Sequence, residues 1–191
     1  MYSPYKSVTD AAQALALLQS GNARFAQNKL AAKDDYAAER ALLTEGQHPF
    51  AVVLTCSDSR TPPEIFFDQK LGDLFVVRNA GNIAEPAALG SIEYAVAHLH
   101  PPLVAVIGHS QCGAVCAAYQ NTADAGHLQT VLEKIRPACA ASQNEDEAIR
   151  SNIRQTVAQI RDNAVIKQKN ATVAGGYYDL ATGQVTWLVE K

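Results

Sequence analysis

The chain has 191 residues, of which 48% are hydrophobic and 18% are charged. That length suffices for one domain with its own core, and the composition is ordinary for a globular protein. The net charge is −3, from 16 basic and 19 acidic residues without a basic cluster, so neither nucleic acid nor an anionic membrane is favoured as a partner. No apolar run approaches the roughly 20 residues of a membrane span, and the first residues lack a signal-peptide pattern. We therefore expect a cytoplasmic protein.

Two helices are expected before the first strand. Residues 9–28 have amphipathic helical spacing, and Ser7 with Asp10 predicts the helix start. Its apolar stripe, interrupted by Asn22, consists of Leu15, Leu18 and Phe25. Such a stripe packs either on the chain's own core or against a second subunit. A second short helix is predicted over residues 36–45.

Strands and helices then alternate. Short aliphatic and β-branched runs predict strands at 50–56, 73–77, 103–107, 171–177 and 184–189. Turn-forming residues join the last two strands, as in a hairpin. Apolar residues at helical spacing predict helices at 86–99, from 113 onward, at 127–135 and at 145–165.

This alternation predicts an α/β fold. We expect a mostly parallel central β-sheet flanked by helices, with an antiparallel strand at its C-terminal edge. The whole chain, 1–191, is expected to form a single domain, with a helical arm over residues 1–45 and an α/β core over residues 46–191.

Two predicted strand ends carry metal-binding residue types. Cys56 ends one strand within Cys-Ser-Asp-Ser-Arg, whereas His109 and Cys112 follow another within Gly-His-Ser-Gln-Cys-Gly. Open α/β sheets place their chemistry at the carboxyl ends of strands, so neighbouring strands would bring these three residues together. Two thiolates and one imidazole suit Zn²⁺, and a zinc site with three protein ligands usually keeps its fourth position open for water or substrate. The pattern therefore predicts a catalytic zinc site.

The other two cysteines have simpler interpretations. In a cytosolic chain of this size, four cysteines need not form a disulfide framework. Cys116 lies one helical turn after Cys112, which is compatible with a ligand pair or a redox pair. The preferred interpretation is that Cys116 and Cys139 are small buried apolar residues.

Asp58 and Arg60 are spaced to form a charge-assisted pair beside the predicted metal site. Asp58 would either occupy the fourth metal position or, held away by Arg60, accept a hydrogen bond from metal-bound water. A structural ion pair that caps the next helix is the remaining interpretation.

Four motifs together resemble the β-class carbonic anhydrases: Cys-Ser-Asp-Ser-Arg, Arg-Asn-Ala-Gly-Asn, Gly-Ser-Ile-Glu-Tyr-Ala-Val and Gly-His-Ser-Gln-Cys-Gly-Ala. The similarity covers residues 50–118 and resumes at 175–180. The resemblance implies a zinc enzyme that reversibly hydrates CO₂ to bicarbonate and a proton through zinc-bound hydroxide. It implies Cys56, His109 and Cys112 as metal ligands, with Asp58–Arg60 as the dyad that orients the zinc water. It also implies a homodimer that exchanges N-terminal helices and often pairs into a homotetramer.

The resemblance extends to a plant-like, non-allosteric subgroup of that family. Val53 stands where the other subgroup has the tryptophan of a regulatory bicarbonate pocket. In the plant-like subgroup Gln47 would donate its amide to the substrate. Three residues would form the pocket wall, with contributions across the dimer interface: Phe75, Ala80 and Tyr94. Water rather than Asp58 would then occupy the fourth zinc position near neutral pH.

Thiolates donate more charge to zinc than imidazoles do, so we expect a less acidic zinc water and an activity that rises toward alkaline pH.

Other functions compatible with the sequence are hydrolysis of carbonyl sulfide or carbon disulfide on the same scaffold, a non-catalytic zinc or bicarbonate sensor, and a thiol-redox protein.

Overall fold

The structure is a computed structural model that describes residues 8–32, 35–123 and 126–189. Over these residues the helices are α1 (Ala11–Ala26), α2 (Tyr36–Leu42), α3 (Pro63–Phe66), α4 (Pro86–Tyr94), α5 (Gly113–Tyr119), α6 (Leu128–Cys139), α7 (Glu145–Asp162) and α8 (Ala164–Lys169). The strands are β1 (Ala51–Cys56), β2 (Leu74–Asn79), β3 (Leu103–His109), β4 (Thr172–Tyr178) and β5 (Val185–Val189). A π-helical turn, Ala95–Leu99, continues α4. Among the described helices none is long and apolar enough to cross a membrane.

The described strands form one sheet in the order β2-β1-β3-β4-β5. The first four are parallel, and β5 pairs antiparallel with β4, which confirms the predicted α/β class and its antiparallel edge. β1 and β3 are neighbours, with Thr55 opposite Ile107. The carboxyl ends of these two strands therefore lie side by side.

Helices cover both faces of the sheet, so the central strands are apolar on both sides. Every residue of β1 and β3 is buried. In β1, Val52 and Leu54 contact the larger core with α4 to α8, while Ala51 and Val53 contact the smaller core with α1 and α3. This continuous burial explains why both strands were predictable from unbroken apolar runs.

α1 packs on its own chain. Its N-cap is Asp10, as predicted, while Ser7 lies outside the described residues. Leu18 is fully buried against the smaller core, and Leu15 and Phe25 pack beside it. Asn22, which breaks the apolar stripe, is buried and donates its amide to the carbonyls of Phe66 and Gly183. The part of the stripe around Leu18 therefore packs intramolecularly, which was one of the two alternatives.

α7 packs tightly across β3 and β4 because glycine stands beneath it. A Cβ added to Gly108 would lie 2.6 Å from Cγ1 of Ile153, and one added to Gly175 would lie 2.9 Å from Cγ2 of the same residue. The absence of side chains at these positions lets α7 approach the strand end that carries His109.

Candidate metal centre

The sheet brings the three predicted metal ligands together. Cys56 is the last residue of β1, His109 is the last residue of β3, and Cys112 directly precedes α5. The two sulfur atoms are 4.0 Å apart, and the ligand atoms of all three residues lie within 4.8 Å of one another. The exposed fractions are 6% for Cys56 and 1% each for His109 and Cys112. This buried cluster could hold a metal ion.

The imidazole of His109 is held by the backbone beside it. Nδ1 lies 2.9 Å from the carbonyl oxygen of Ser110 and, as the protonated nitrogen, donates to it. Nε2 is buried without a hydrogen-bond partner among the described residues. A backbone acceptor for one ring nitrogen is the usual partner of a metal-ligating histidine, and it leaves the other nitrogen available to the metal.

The sulfur atoms of Cys56 and Cys112 lie within hydrogen-bond distance of each other. The hydrogen bond with Cys112 lowers the pKa of Cys56, against burial, and the backbone amide of Gly81 lowers it further from 3.4 Å. The same hydrogen bond, together with burial, raises the pKa of Cys112. These contacts favour the thiolate form of Cys56, which is the form that ligates a metal.

Asp58 and Arg60 form the predicted ion pair. Nε of Arg60 donates to Oδ1 of Asp58 at 2.9 Å, and a terminal guanidinium nitrogen donates to Oδ2 at 2.7 Å. These bonds hold the pKa of Asp58 well below its usual range. Oδ2 lies 3.9 Å from Nε2 of His109, which places an ionised carboxylate at the edge of the metal cluster.

The loop that carries Asp58 is fixed by two residues whose roles were not predicted. Arg78 donates from Nε to the carbonyl of Cys56 at 3.0 Å and from a terminal nitrogen to the carbonyl of Asp58 at 2.6 Å. Thr61, fully buried, donates its hydroxyl toward the same two carbonyls. The partners of Arg78 are carbonyls 20 and 22 residues away in the chain, which no local sequence pattern indicates.

The four residues expected to form the substrate pocket lie in two places. Ala80 follows β2 directly and adjoins Gly81, next to the Cys56 sulfur. Gln47 is exposed and precedes β1, at the end opposite Cys56. Phe75 pairs with Val52 in the sheet, and its ring lies 6.2 Å from that of Tyr94, which is 50% exposed. Within one chain, Ala80 alone of the four stands beside the metal cluster.

Cys116 is partly buried rather than fully buried as predicted, while Cys139 is buried. Burial and the nearby Glu145 raise the pKa of the Cys116 thiol to about 11. A thiol that stays protonated at neutral pH reacts slowly in disulfide exchange, which argues against the redox interpretation.

The fold and the cluster define an α/β protein with a buried Cys/His/Cys cluster that could hold a metal, at the carboxyl edge of a parallel sheet. Residues 51–185 match the family model for carbonic anhydrase. The chain is 40% identical over 182 residues to a carbonic anhydrase of Mycolicibacterium smegmatis, covering 88% of each chain. It is 39% identical to carbonic anhydrase 2 of Mycobacterium tuberculosis, covering 91% of this chain and 86% of that protein.

Solved structures of β-carbonic anhydrases have a similar fold. A tetrameric β-carbonic anhydrase of Sordaria macrospora superposes with a TM-score of 0.71 at 27% identity, covering 94% of this chain and 98% of that one. A β-carbonic anhydrase of Aspergillus fumigatus gives a TM-score of 0.72 at 27% identity, covering 93% of this chain and 89% of that one. The chain belongs to the β-carbonic anhydrase family, which confirms the resemblance predicted from its motifs.

Proposed function

We propose that this chain catalyses the reversible hydration of CO₂ to bicarbonate and a proton, with zinc as its metal. The observation that carries the proposal is the Cys56–His109–Cys112 cluster beside an ionised Asp58, in a chain of the β-carbonic anhydrase family. CO₂ is small and apolar, so its site requires little beyond a dry wall and one hydrogen-bond donor.

The residues present fit a zinc ion. Two sulfur atoms and one imidazole nitrogen are its usual donor set, and Nε2 of His109 is a buried polar atom that a metal would satisfy. When bound, zinc lowers the pKa of a coordinated water from near 16 to about 7 at a three-histidine site, and less far beside two thiolates, so it would supply a nucleophile at neutral to alkaline pH. Both ligand thiols must stay reduced, which supports a cytoplasmic location.

Asp58 and Arg60 have complementary roles in this proposal. Arg60 occupies both carboxylate oxygens of Asp58, which favours a carboxylate held beside the cluster over one that ligates the metal. The remaining lone pairs of Asp58 are free to accept a hydrogen bond from the attacking water. Asp58 thereby orients that water toward CO₂, because the low pKa of the carboxyl keeps this hydrogen-bond acceptor charged at neutral pH.

We further propose the plant-like, non-allosteric subgroup and a substrate pocket completed by a second copy of the chain. Gln47, Phe75 and Tyr94 lie toward the amino edge of the sheet, away from their own metal cluster. An exposed aromatic such as Tyr94 is common at protein interfaces. A homodimer, or a tetramer of two dimers, would bring these residues to the partner's cluster, where the amide of Gln47 would bind the developing bicarbonate.

The test is stopped-flow CO₂ hydration with zinc-replete protein from neutral to alkaline pH, alongside measurement of zinc content. We expect about one zinc per chain and turnover that rises with pH. Cys56→Ser should lose zinc and activity, whereas Cys139→Ser, a change at a buried cysteine outside the cluster, should keep both. Zinc-loaded protein that turns over carbonyl sulfide but not CO₂ would overturn the proposal in favour of the sulfur-substrate hydrolase.

A further inference from the structure

We infer that Asn152 is a positioning residue for the metal centre, because it fixes Gly81, whose amide donates a hydrogen bond to the Cys56 sulfur. The inference rests on the proposed metal site and extends it to a residue of α7. Asn152 lies 40 residues beyond Cys112 in the chain and belongs to none of the motifs that carry the family resemblance.

Gly81 is constrained on three sides. Its amide nitrogen is 3.4 Å from Sγ of Cys56, and its carbonyl accepts a hydrogen bond from Nδ2 of Asn152 at 2.8 Å. Its φ of 74° lies in the left-handed region, and an added Cβ would lie 2.6 Å from Cδ1 of Ile135. Glycine is therefore required at this position. The hydrogen bond from Asn152 fixes the peptide group that follows Gly81 and, through it, the backbone whose amide donates to the sulfur.

Asn152 is a polar residue on the largely apolar buried face of α7. It is 1% exposed, with the apolar Ile149 and Ile153 beside it on that face. Its Oδ1 is buried without a hydrogen-bond partner among the described residues. A buried amide with only one of its two polar atoms hydrogen-bonded costs folding free energy, and an aliphatic residue at the same position would not have this cost. A polar residue kept at such a position is expected to have a functional role, and the described contact of its side chain is to Gly81.

α7 also packs on the other strand end of the site. Ile153, the next residue, packs on Gly108, which directly precedes His109. The same turn of α7 therefore contacts Gly81, which donates to the Cys56 sulfur, and the strand end that carries His109. Movement of this turn would change the position of Gly81 relative to the cluster.

A backbone amide that donates to a thiolate withdraws electron density from the sulfur and orients its lone pairs. Loss of such an outer hydrogen bond typically weakens metal binding by about 10- to 100-fold. The sulfur would also become a stronger electron donor. In protein loaded with cobalt, the sulfur-to-cobalt charge-transfer band would then move to longer wavelength, a change that lost packing alone would not produce.

The experiment compares wild type, Asn152→Leu and Asn152→Ala with the control Asn22→Leu. Asn22 is also buried and also donates its amide to backbone carbonyls, but it lies on α1, away from the cluster. Zinc affinity is measured by competition with a chelator, and the cobalt charge-transfer band is recorded by absorbance. Asn152→Ala leaves room for a water to donate to Gly81, so it provides a folded variant if Asn152→Leu does not fold.

We expect about 10- to 100-fold weaker zinc binding and a red-shifted band for Asn152→Leu, and a smaller effect for Asn152→Ala. Asn22→Leu should lower stability while leaving both metal readouts unchanged. Wild-type affinity and an unshifted band in the folded Asn152 variants would overturn this inference alone. A wild-type chain that binds no zinc would overturn the proposed function as well, so the two failures are distinguishable.

Discussion

Asp58 is the residue on which the proposed chemistry depends most directly after the metal ligands. Asp58→Asn keeps the shape of the side chain but removes its charge and one acceptor. We expect the variant to bind zinc normally, because Asp58 lies outside the ligand cluster. Hydration of CO₂ should fall by about 10- to 100-fold, the usual cost of losing an outer hydrogen-bond partner of a metal site. Stopped-flow rates at matched zinc content measure this loss.

A matched control for this substitution is Asp162→Asn, at an aspartate that is also paired with a cation but lies on the surface at the end of α7. This control should retain full activity and full zinc content. If Asp58→Asn proved as active as the control, the dyad would be a structural ion pair, which is the interpretation that the sequence left open.

At the scale of elements, Gly21 determines how closely α1 approaches α3. A Cβ added there would lie 1.8 Å from the carbonyl oxygen of Phe67. Gly21→Ala gains less than about 1 kcal/mol of helix propensity, whereas the clash with rigid backbone costs about 1–3 kcal/mol or more. We therefore expect a net loss of about 2 kcal/mol in the free energy of unfolding, measured by urea denaturation.

The neighbouring Ser20→Ala is the control for Gly21→Ala, since Ser20 is exposed on the same helix. It should change the free energy of unfolding by less than about 0.5 kcal/mol. Equal stability of Gly21→Ala and Ser20→Ala would mean that α1 does not pack on its own chain as described, and that its stripe is available to a second subunit.

The contact between β4 and α7 predicts a pH-dependent part of the stability. Tyr177 donates its hydroxyl to Asp146, and Arg150 lies over the Tyr177 ring. Burial, and then this hydrogen bond, raise the pKa of Tyr177 to about 12. Because the pKa is raised on folding, the contribution of this contact to stability is complete below the pKa of the unfolded chain, about 10. The contribution is lost as the pH rises through the pKa of the folded chain, about 12.

Tyr177→Phe should accordingly lower the free energy of unfolding by about 1–3 kcal/mol at pH 8. The difference in the free energy of unfolding between wild type and the variant should shrink between pH 10 and pH 12. In that range the tyrosine of the unfolded chain has lost its proton, while Tyr177 of the folded chain still keeps it. Urea denaturation at several pH values measures it, with Tyr119→Phe, also packed on the larger core, as the control. A difference that stays constant up to pH 12 would contradict the assigned hydrogen bond.

The elements and the clustering of the candidate metal ligands were predictable because their signals are local. Unbroken apolar runs identified β1 and β3, and the ligands follow those runs directly in the chain. Arg78 and Asn152 were not predictable, because each acts through backbone atoms brought close only by the sheet order and by the packing of α7. A side chain that binds a carbonyl far away in the chain produces no recognisable residue spacing in the sequence.

At the scale of the whole molecule, a single chain has the candidate metal cluster at one end of the sheet, while Gln47 and Phe75, two of the predicted pocket residues, lie toward the other end. Gln47 precedes β1 and Cys56 ends it, so about 20 Å of strand separates the two ends at about 3.3 Å per residue. A side chain of glutamine does not span that distance. If Gln47 binds the substrate, it does so at the cluster of another copy, as a two-fold dimer allows.

Mixed dimers test this arrangement. Cys56→Ser removes the metal site and keeps Gln47, whereas Gln47→Leu keeps the metal site and removes the amide. If each site combines the cluster of one chain with Gln47 of the other, a mixed dimer has one intact site and one site lacking both groups. Random pairing of equal amounts makes about half of the dimers mixed. Coexpressed chains should therefore recover about a quarter of wild-type CO₂ hydration, well above either variant alone. If Gln47 acts within its own chain, every dimer lacks an intact site, and coexpression should give no more than the average of the two variants.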